Sequence, residues 1–260
     1  MDDYLFKKEY QVSLSDVDFT KKMKLSALLN CFQDIAGLAS DQHNVGVSVL
    51  EKENLAWVLV RFYLHFERIP TLDEIISIGT WHQEARKFEI DRSFVVYDQS
   101  GSIIVKAIST WVIMDKASRK IQKLGIFGER FSRINKPKII DYPVKKLKDF
   151  GSLEQVYLKT VGYSDVDFNG HLNNSKYIDY IMDCFNLESH KKYQVKSIMV
   201  NFLTETLPGE TMALYKDTSD LNDQLVYIEG VKLADDKIIF KSQLEIRKTE
   251  IAYVSRETLA

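Results

Sequence analysis

The sequence predicts an α+β protein in which one unit of structure occurs twice. Three observations lead to this prediction: a repeated pentapeptide, a helix-like segment after each copy of it, and a series of strand-like runs after each helix. The pentapeptide SDVDF at Ser15–Phe19 returns at Ser164–Phe168, an offset of 149 residues (164 minus 15). A chain of 260 residues is long enough for two units of ordinary size.

Each copy of the pentapeptide leads into a segment whose apolar residues have helical spacing. They recur three and four positions apart, as expected for one buried face of a helix. The Asn173–Ser175 stretch offers an N-cap for the second helix. The apolar positions are Leu28, Phe32, Ile35 and Ala39 in the first copy and Tyr177, Tyr180, Ile181 and Cys184 in the second.

Each predicted helix is followed by runs rich in β-branched and aromatic residues, which are typical of strands. Short turns at Asp98–Gly101 and Ala234–Lys237 separate two of these runs in each copy. Consecutive strands joined by short turns predict an antiparallel sheet, against which the helix buries its apolar face. The runs are Ile75–Trp81, Phe88–Tyr97 and Ile103–Met114, then Thr211–Tyr215, Leu225–Leu233 and Ile238–Ile246.

The two copies differ in length between the helix and the strand that follows it. Phe66–Pro70 matches Thr204–Pro208 at an offset of 138 (208 minus 70), which is 11 fewer than the first offset. We assign the extra residues to a longer segment after the first helix, Gln42–Asn54, as a candidate lid or pocket wall. This alignment also places Glu67 in the position of Glu205.

We predict an N-terminal unit at residues 1–135, a linker at 136–150 that contains Pro137 and Pro143, and a C-terminal unit at 151–260. Residues 116–148 hold 11 basic side chains against two acidic ones. This basic region either steers an acidic partner to the protein or serves as a solubilising surface and connector. Its basic members are Lys116, Arg119, Lys120, Lys123, Arg130, Arg133, Lys136, Lys138, Lys145, Lys146 and Lys148.

Composition excludes several classes of function. A formal net charge of -2 argues against a general nucleic-acid binder, which needs a broad excess of basic residues. Cys31 and Cys184 stand in helix-like segments with no metal-binding spacing, so we expect a reducing compartment and no metal site. The start MDDYLFKKEY lacks the apolar stretch of a signal peptide, and no run approaches the roughly 18 apolar residues of a membrane span. We therefore expect a cytoplasmic protein.

The candidate site lies where the two copies differ. After the shared pentapeptide the second copy reads NGHLNN, whereas the first reads TKKMKL. Asp167, Asn169 and His171 alternate within a turn that leads into a helix, so their side chains can converge beside free backbone N–H groups that favour an oxyanion. Each of these residues alone is more often a turn former or structural. Together with Glu205, which follows an apolar strand, they predict an active site.

The stretch SDVDFNGHLNNSKYIDYIMD resembles the active-site signature of the acyl-ACP thioesterases of plants and bacteria, which are tandem hot-dog proteins. The stretches LAWVLVRFYLHFERIP and KAISTWVIMDKASRKIQKL are also similar to segments of that family. The resemblance runs from about Tyr10 to Arg247. It implies a double hot-dog fold, with two fused units that each pack a long helix on a curved antiparallel β-sheet.

The resemblance also implies roles for individual residues. Asn169 and His171 match the family's active-site asparagine and histidine, Asp167 matches the preceding aspartate, and Glu205 matches the glutamate proposed to activate water. Plant members carry a cysteine after this glutamate, whereas this chain has Thr206, so a cysteine acyl-enzyme is not available there. The implied activity is hydrolysis of fatty acyl-ACP by Glu-activated water, without a cofactor.

The acyl chain requires an apolar tunnel, which we place between the helix and the sheet of the first copy. Acyl carrier protein with a phosphopantetheine-linked acyl chain is the expected partner. An acyl-CoA thioesterase and a non-catalytic acyl-binding protein are the alternatives, and either Glu205 or His171 is the base. A fused pair permits a monomer or a homodimer. The candidate substrate-binding residues are Trp57, Leu59, Phe62, Tyr63, Asn173 and Asn174.

Overall fold

A continuous antiparallel sheet forms the body of the protein in the computed structural model, which describes residues 6–125, 127, 137–140, 144–149, 151–220, 222 and 224–249. The elements before the linker are β1 (Phe6–Gln11), α1 (Leu25–Gln42), α2 (Val47–Lys52), β2 (Leu55–Phe66), β3 (Ile75–His82), β4 (Ile90–Tyr97) and β5 (Ile103–Asp115). Those after it are β6 (Glu154–Thr160), α3 (Asn174–Asp183), α4 (Leu187–Lys192), β7 (Tyr193–Phe202), β8 (Thr211–Asp217), β9 (Leu225–Lys232) and β10 (Ile238–Lys248).

The order of the strands shows that the two halves repeat one another. It runs β1-β3-β4-β5-β2 in the first half and continues β7-β10-β9-β8-β6 in the second. The halves meet where β2 pairs with β7, with Tyr63 opposite Met199 at the middle of the pairing. Each half contributes one main helix, α1 or α3. The predicted α+β double hot-dog fold is confirmed.

The apolar faces of α1 and α3 pack on one face of the sheet and against each other. Phe32 of α1 stacks on Phe94 of β4 with 4.7 Å between ring centroids. Ile181 of α3 is fully buried in the same cluster. Burial of each such side chain contributes about 1.5–3 kcal/mol, so the spacing of apolar residues in the sequence explains why both segments form helices here.

Described parts of the predicted linker cross the opposite face of the sheet. The Trp81 indole N–H donates a hydrogen bond to the Pro137 carbonyl at 3.2 Å, and the Leu147 N–H donates to Asn201 Oδ1 at 2.8 Å. This cover explains why β3 and β4 are buried on both faces and read as nearly continuous apolar runs. Positions 136, 141–143 and 150 of the linker lie outside the described residues.

The extra length of the first half lies mainly in its helix. Helix α1 has 18 residues and α3 has 10, whereas α2 and α4 have six residues each. The prediction that the extra residues follow the helix, at Gln42–Asn54, was therefore wrong in position, because that segment holds α2, which α4 matches. The helical spacing continues through Ala36 and Ala39, and it extends α1 by about two turns over the sheet.

Candidate active site

A tight turn before α3 presents the predicted asparagine and histidine. Asp167 Oδ1 accepts hydrogen bonds from the backbone N–H groups of Asn169, at 2.8 Å, and His171, at 3.2 Å. Gly170 has a φ of 80°, in the left-handed region that glycine adopts without strain. Asp167 therefore shapes the turn, and its carboxylate faces the backbone that carries the other two residues.

Glu205 lies beside this turn because the chain folds back after β7. The Leu172 N–H donates a hydrogen bond to the Thr206 carbonyl at 2.9 Å, which fixes the two segments side by side. The His171 Nε2 atom is 3.5 Å from Glu205 Oε2, and the two side chains are 30% and 32% exposed. The geometry thus brings an imidazole and a carboxylate into one solvent-accessible site.

Arg119 also reaches this site, from the turn after β5 in the first half. Its guanidinium donates to Glu205 Oε2, the same oxygen that faces His171. The backbone of Arg119 is left-handed, with a φ of 57°. Composition indicated this residue only as one of 11 basic side chains, since nothing in the local sequence ties it to a glutamate 86 positions later.

Two buried hydroxyl groups, those of Tyr177 and Thr206, form a hydrogen bond beneath the segment that carries Glu205. The Tyr177 hydroxyl donates to Thr206 Oγ1 at 3.3 Å, and Thr206 is fully buried. Burial raises the pKa of Tyr177 to about 12, with a smaller contribution from the charge of Glu205. Tyr177 is therefore a neutral hydrogen-bond donor near pH 7 that holds Thr206 and, with it, the backbone of Glu205.

A cavity of about 590 Å³ reaches from this site into the space between α1 and the sheet of the first half. Its volume lies within the roughly 300–1,000 Å³ of typical ligand sites. The site turn and Glu205 border the cavity at one place, and residues of α1, α2, β2 and β5 border it elsewhere. Its apolar lining includes Leu50, Leu55, Trp57, Leu59 and Trp111.

Two of the four predicted wall residues border this cavity. Trp57 and Leu59 do so, whereas Phe62 and Tyr63 do not. Phe62 packs against Phe32 of α1, with 6.2 Å between ring centroids, so the helix fills the space there. Tyr63 is the next residue along β2, and alternation along a strand turns its side chain to the opposite face of the sheet.

The two predicted asparagines also have different surroundings. Asn174 borders the cavity, whereas Asn173 does not. Asn173 is the N-cap of α3, and its Oδ1 atom accepts hydrogen bonds from the backbone N–H and the hydroxyl of Ser175, both at 3.0 Å. Its assignment to substrate binding is replaced by this capping role, because the side-chain oxygen is already engaged with the helix.

The backbone of the first half identifies the true counterpart of Thr206. The Met23 N–H donates to the Pro70 carbonyl at 2.8 Å, and this bond repeats the one from Leu172 to Thr206. Met23 and Leu172 are separated by the same 149 positions (172 minus 23) as the repeated pentapeptides. Pro70 is therefore the structural equivalent of Thr206.

Since Pro70 is equivalent to Thr206, the preceding residue, Ile69, is the equivalent of Glu205. The prediction that Glu67 occupies this place was wrong, since the matching prolines shifted the alignment by two residues. Glu67 instead lies on the surface, where the Lys106 ammonium donates to it at 3.1 Å. The first half therefore has an apolar residue where the second has its carboxylate.

A second cavity of about 560 Å³ lies at the equivalent place in the other half, beside Ile69 and α3. Thr20 and Lys22 border it, at the positions that Asn169 and His171 occupy in the first cavity. Further charged residues line this second cavity, among them Lys159, Lys176, Asp179, Asp183 and Lys216. The two cavities are thus related by the repeat, but the second has Lys22 and Ile69 at the positions that His171 and Glu205 occupy in the first.

The two cysteines are unsuited to a nucleophilic role. Burial raises the pKa of the Cys31 thiol to about 11 and that of Cys184 to about 12. Neither borders the cavity beside Glu205. Both thiols are therefore protonated near pH 7 and remote from the site, in line with the prediction that Cys184 is a core residue.

Only part of the predicted basic region adjoins the cavity. Lys116 and Arg119 border it. Lys138 instead pairs with Asp91 at 2.8 Å on the outer face of the sheet. Three further members, Arg130, Arg133 and Lys136, lie outside the described residues. Within the described parts of the chain, no helix combines the length and apolar character needed to cross a membrane.

Comparison with known protein families shows which family the chain belongs to. The family model described as the acyl-ACP thioesterase N-terminal domain matches residues 3–125, and the model of the acyl-ACP thioesterase C-terminal domain matches residues 153–254. The chain belongs to the acyl-ACP thioesterase family. The two matched regions coincide with the two halves of the sheet, so the family resemblance and the internal repeat describe the same architecture.

Individual members of the acyl-ACP thioesterase family are distant in sequence. The chain is 24% identical over 220 residues to the chloroplastic palmitoyl-acyl carrier protein thioesterase of Arabidopsis thaliana, covering 78% of this chain and 53% of the relative. It is 24% identical over 224 residues to the chloroplastic oleoyl-acyl carrier protein thioesterase 2 of the same plant, covering 78% and 60%. The chain thus spans little more than half the length of these relatives.

Solved structures of acyl-ACP thioesterases share the fold over nearly the whole chain. An acyl-ACP thioesterase from Bacteroides thetaiotaomicron superposes with a TM-score of 0.85 at 24% identity, covering 94% of this chain and 98% of that one. The 12:0-ACP thioesterase from Umbellularia californica superposes with a TM-score of 0.83 at 18% identity, with the same coverage. The fused hot-dog architecture is therefore common to all three.

Proposed function

We propose that this protein is a thioesterase that hydrolyses fatty acyl-ACP to a free fatty acid and holo-ACP. The observation that carries the proposal is the approach of His171 Nε2 to Glu205 Oε2, at 3.5 Å, on the border of an apolar cavity of about 590 Å³. An acyl chain fits such a cavity, and a thioester placed at this border meets both groups. Membership of the acyl-ACP thioesterase family favours acyl carrier protein as the carrier.

In the proposed mechanism Glu205 accepts a proton from water as the water oxygen attacks the thioester carbonyl carbon. The carbonyl oxygen becomes an oxyanion, which Asn169 and His171 stabilise as hydrogen-bond donors. Collapse of the tetrahedral intermediate breaks the carbon–sulfur bond, and the phosphopantetheine sulfur takes up the proton held by Glu205. General-base assistance contributes roughly 100- to 10,000-fold and one oxyanion donor about 3 kcal/mol. An activated thioester needs no cofactor for such a step.

Arg119 constrains this mechanism because it contacts the same oxygen of Glu205 that faces His171. Attacking water therefore approaches the other oxygen, Oε1, or Arg119 swings away when substrate binds. The arginine side chain is 52% exposed, so it is free to move into solvent. A variant of the scheme exchanges the roles, with His171 as the base and Glu205 as its orienting partner, and it uses the same pair of groups.

We further propose that one unit binds the acyl chain and the other supplies the catalytic groups. Residues 1–135 form the non-catalytic unit that houses the acyl chain, 136–150 the linker, and 151–260 the unit that supplies the catalytic groups. The walls contributed by α1 and β2, together with the presence of Lys22 and Ile69 at the first-half positions equivalent to His171 and Glu205, support this assignment.

The carrier protein is proposed to dock near the cavity mouth. Lys116 and Arg119 border the cavity, and Lys120 and Lys123 follow in the same segment. A local basic surface steers an acidic carrier even though the whole chain has a net charge of -2 and the rest of it is correspondingly acidic. Association should therefore weaken as ionic strength rises.

The decisive experiment measures thiol release from acyl-ACP and acyl-CoA substrates with octanoyl, dodecanoyl and hexadecanoyl chains. We expect hydrolysis of acyl-ACP with a higher kcat/KM than the acyl-CoA of equal chain length. Loss of turnover in Glu205→Gln, with unchanged thermal unfolding, would assign the activity to this site. Preference for acyl-CoA would support an acyl-CoA thioesterase instead, and binding without turnover of any substrate would support an acyl-binding protein.

A further inference from the structure

A buried arginine lies in the wall of the acyl cavity. Arg92 of β4 is only 8% exposed and borders the cavity. Its Nη2 atom donates to Ser40 Oγ of α1 at 3.2 Å, and its Nη1 atom donates to Thr80 Oγ1 of β3 at 3.4 Å. Among the described residues, no carboxylate forms an ion pair with it. The guanidinium therefore enters a largely apolar cavity as a charge with only two long bonds to neutral hydroxyls.

The titratable neighbours of Arg92 do not neutralise it. His82 lies directly opposite Arg92 in the pairing of β3 with β4. Burial lowers the pKa of His82 to about 4, and burial together with the charge of Arg92 lowers the pKa of His43. Neutral histidines add no negative charge. A guanidinium has five N–H donors and no acceptor, so the remaining donors favour an oxygen supplied by a ligand.

The fold itself does not require an arginine at this position. In the second half the equivalent residue of β9 is Val226, which borders the second cavity as Arg92 borders the first. The pairing register supports the equivalence, because in each half one residue on the intervening strand connects this position to the junction strand, β2 or β7. These series are Arg92, Ser109 and Phe62, and Val226, Leu244 and Ile198.

We propose that Arg92 and Ser40 form a subsite for an oxygen function on the distal part of the acyl chain, such as a terminal carboxylate or hydroxyl. The inference rests on the proposed thioesterase function and names its substrate class as oxygenated acyl chains. A carboxylate forms two parallel hydrogen bonds with a guanidinium and neutralises its charge, whereas a terminal hydroxyl supplies one acceptor. A terminal methyl group supplies no acceptor for the remaining donors of the guanidinium.

The test compares three acyl-ACP substrates of equal carbon number that end in a methyl group, a hydroxyl or a carboxylate, at several chain lengths. At the best length we expect the carboxylate or the hydroxyl to exceed the methyl chain in kcat/KM by about tenfold or more, in line with the strength of charge-assisted bonds. Arg92→Met should abolish this preference and Arg92→Lys should retain part of it. The relative rates of the two oxygenated chains identify which group the subsite accepts.

Binding of free acids gives a second readout that needs no turnover. Titration calorimetry on the wild-type protein should show tighter binding of dodecanedioate than of dodecanoate, and Arg92→Met should reverse the order. Preference of the wild-type protein for methyl-ended chains in both assays would overturn the subsite while leaving the thioesterase proposal intact. Failure to hydrolyse any acyl-ACP would instead overturn the proposed function. The wild-type comparison remains decisive even if Arg92→Met does not fold.

Discussion

The two SDVDF turns have the same backbone and different chemistry. Asp18 Oδ1 accepts hydrogen bonds from the backbone N–H groups of Thr20 and Lys22, at 2.7 and 3.4 Å. Asp167 holds its own turn by the same two bonds. The repeated aspartate is therefore a requirement of the fold. The residues proposed to act on the substrate are those that the repeat does not share, as expected if a duplicated unit keeps its scaffold and only one copy carries the reactive groups.

The strongest test of the difference between the two turns is to remove equivalent side chains from both and compare the activities. We expect His171→Ala to lower kcat for acyl-ACP hydrolysis by at least about 100-fold, because the proposed site loses a proton-transfer or oxyanion partner. Lys22→Ala, at the equivalent position, should leave kcat within about twofold, as expected of a surface change away from the reaction. Initial rates and circular dichroism spectra of both variants check this. Equal losses in the two variants would contradict the assignment of catalysis to the second turn.

The longer first helix should decide how much chain the cavity accepts. Gly37 of α1 borders the cavity, and a Cβ atom at this position would meet open space. We expect Gly37→Leu to lower kcat/KM for the longest accepted acyl chain by about tenfold to a hundredfold, the equivalent of 1–3 kcal/mol of overpacking. Shorter chains should be hardly affected. Rates across a series of chain lengths measure the shift, and a uniform decrease at all lengths would argue against this placement of the chain.

A buried carboxylate in the first half should make stability depend on pH. Burial alone would raise the pKa of Asp91, but hydrogen bonds from Arg86, Lys138 and Thr110 outweigh it and lower the pKa to about 2. The resulting stabilisation is present above about pH 4 and is lost as the pH falls towards 2. It amounts to about 2 kcal/mol. Leu225 occupies the equivalent position in β9, so the second half has no counterpart to this group.

Urea unfolding of the wild-type protein and Asp91→Asn over a pH series tests this prediction. The variant should be less stable at neutral pH, and the difference in free energy of unfolding should shrink steadily below about pH 4. A difference that stays constant down to pH 2 would show that the asparagine disturbs packing, with no contribution from the ionised carboxylate.

The smallest effect concerns the caps of the two main helices. Asn173 caps α3 with its side chain, whereas Lys24, at the same place before α1, forms no side-chain cap. Asn173→Ala should lower the free energy of unfolding by about 1 kcal/mol, and Lys24→Ala should change it by less than about 0.5 kcal/mol. Thermal denaturation of the pair is the measurement. A loss of activity in Asn173→Ala much larger than its loss of stability would return this residue to the substrate site.

Local patterns were sufficient to predict most of the fold and the central pair of the site. The repeated pentapeptide and the helical spacing locate both halves. His171 stands among the residues that the two copies do not share, whereas Glu205 is identified by its place after an apolar strand and by the family resemblance. The exact counterpart of Glu205 could not be predicted from sequence. Aligning Pro70 with Pro208 is the obvious choice, but the backbone hydrogen bonds show that Pro70 corresponds to Thr206, two residues earlier. Equivalent positions in the two halves are defined by their backbone hydrogen bonds. Similar residues in a short segment do not determine which positions are equivalent.

The residues that sequence missed depend on long-range contacts. Arg119 meets Glu205 only because the turn after β5 lies against the segment after β7. Arginine is usually a surface residue, so the sequence gives no sign that Arg92 is buried. Its burial follows from the crossing of α1 over β4. Phe62 and Tyr63 fit an apolar wall by composition, but the packing of Phe32 and the alternation of β2 keep them away from the cavity.

The pairing of β2 with β7 has a consequence for how the molecule unfolds. Because the sheet is continuous across this junction and α1 and α3 share one hydrophobic core, neither half presents a finished surface of its own. Melting should therefore be a single cooperative transition, with calorimetric and van't Hoff enthalpies in agreement. Either half expressed alone would expose an apolar face and an unpaired strand edge, and would aggregate.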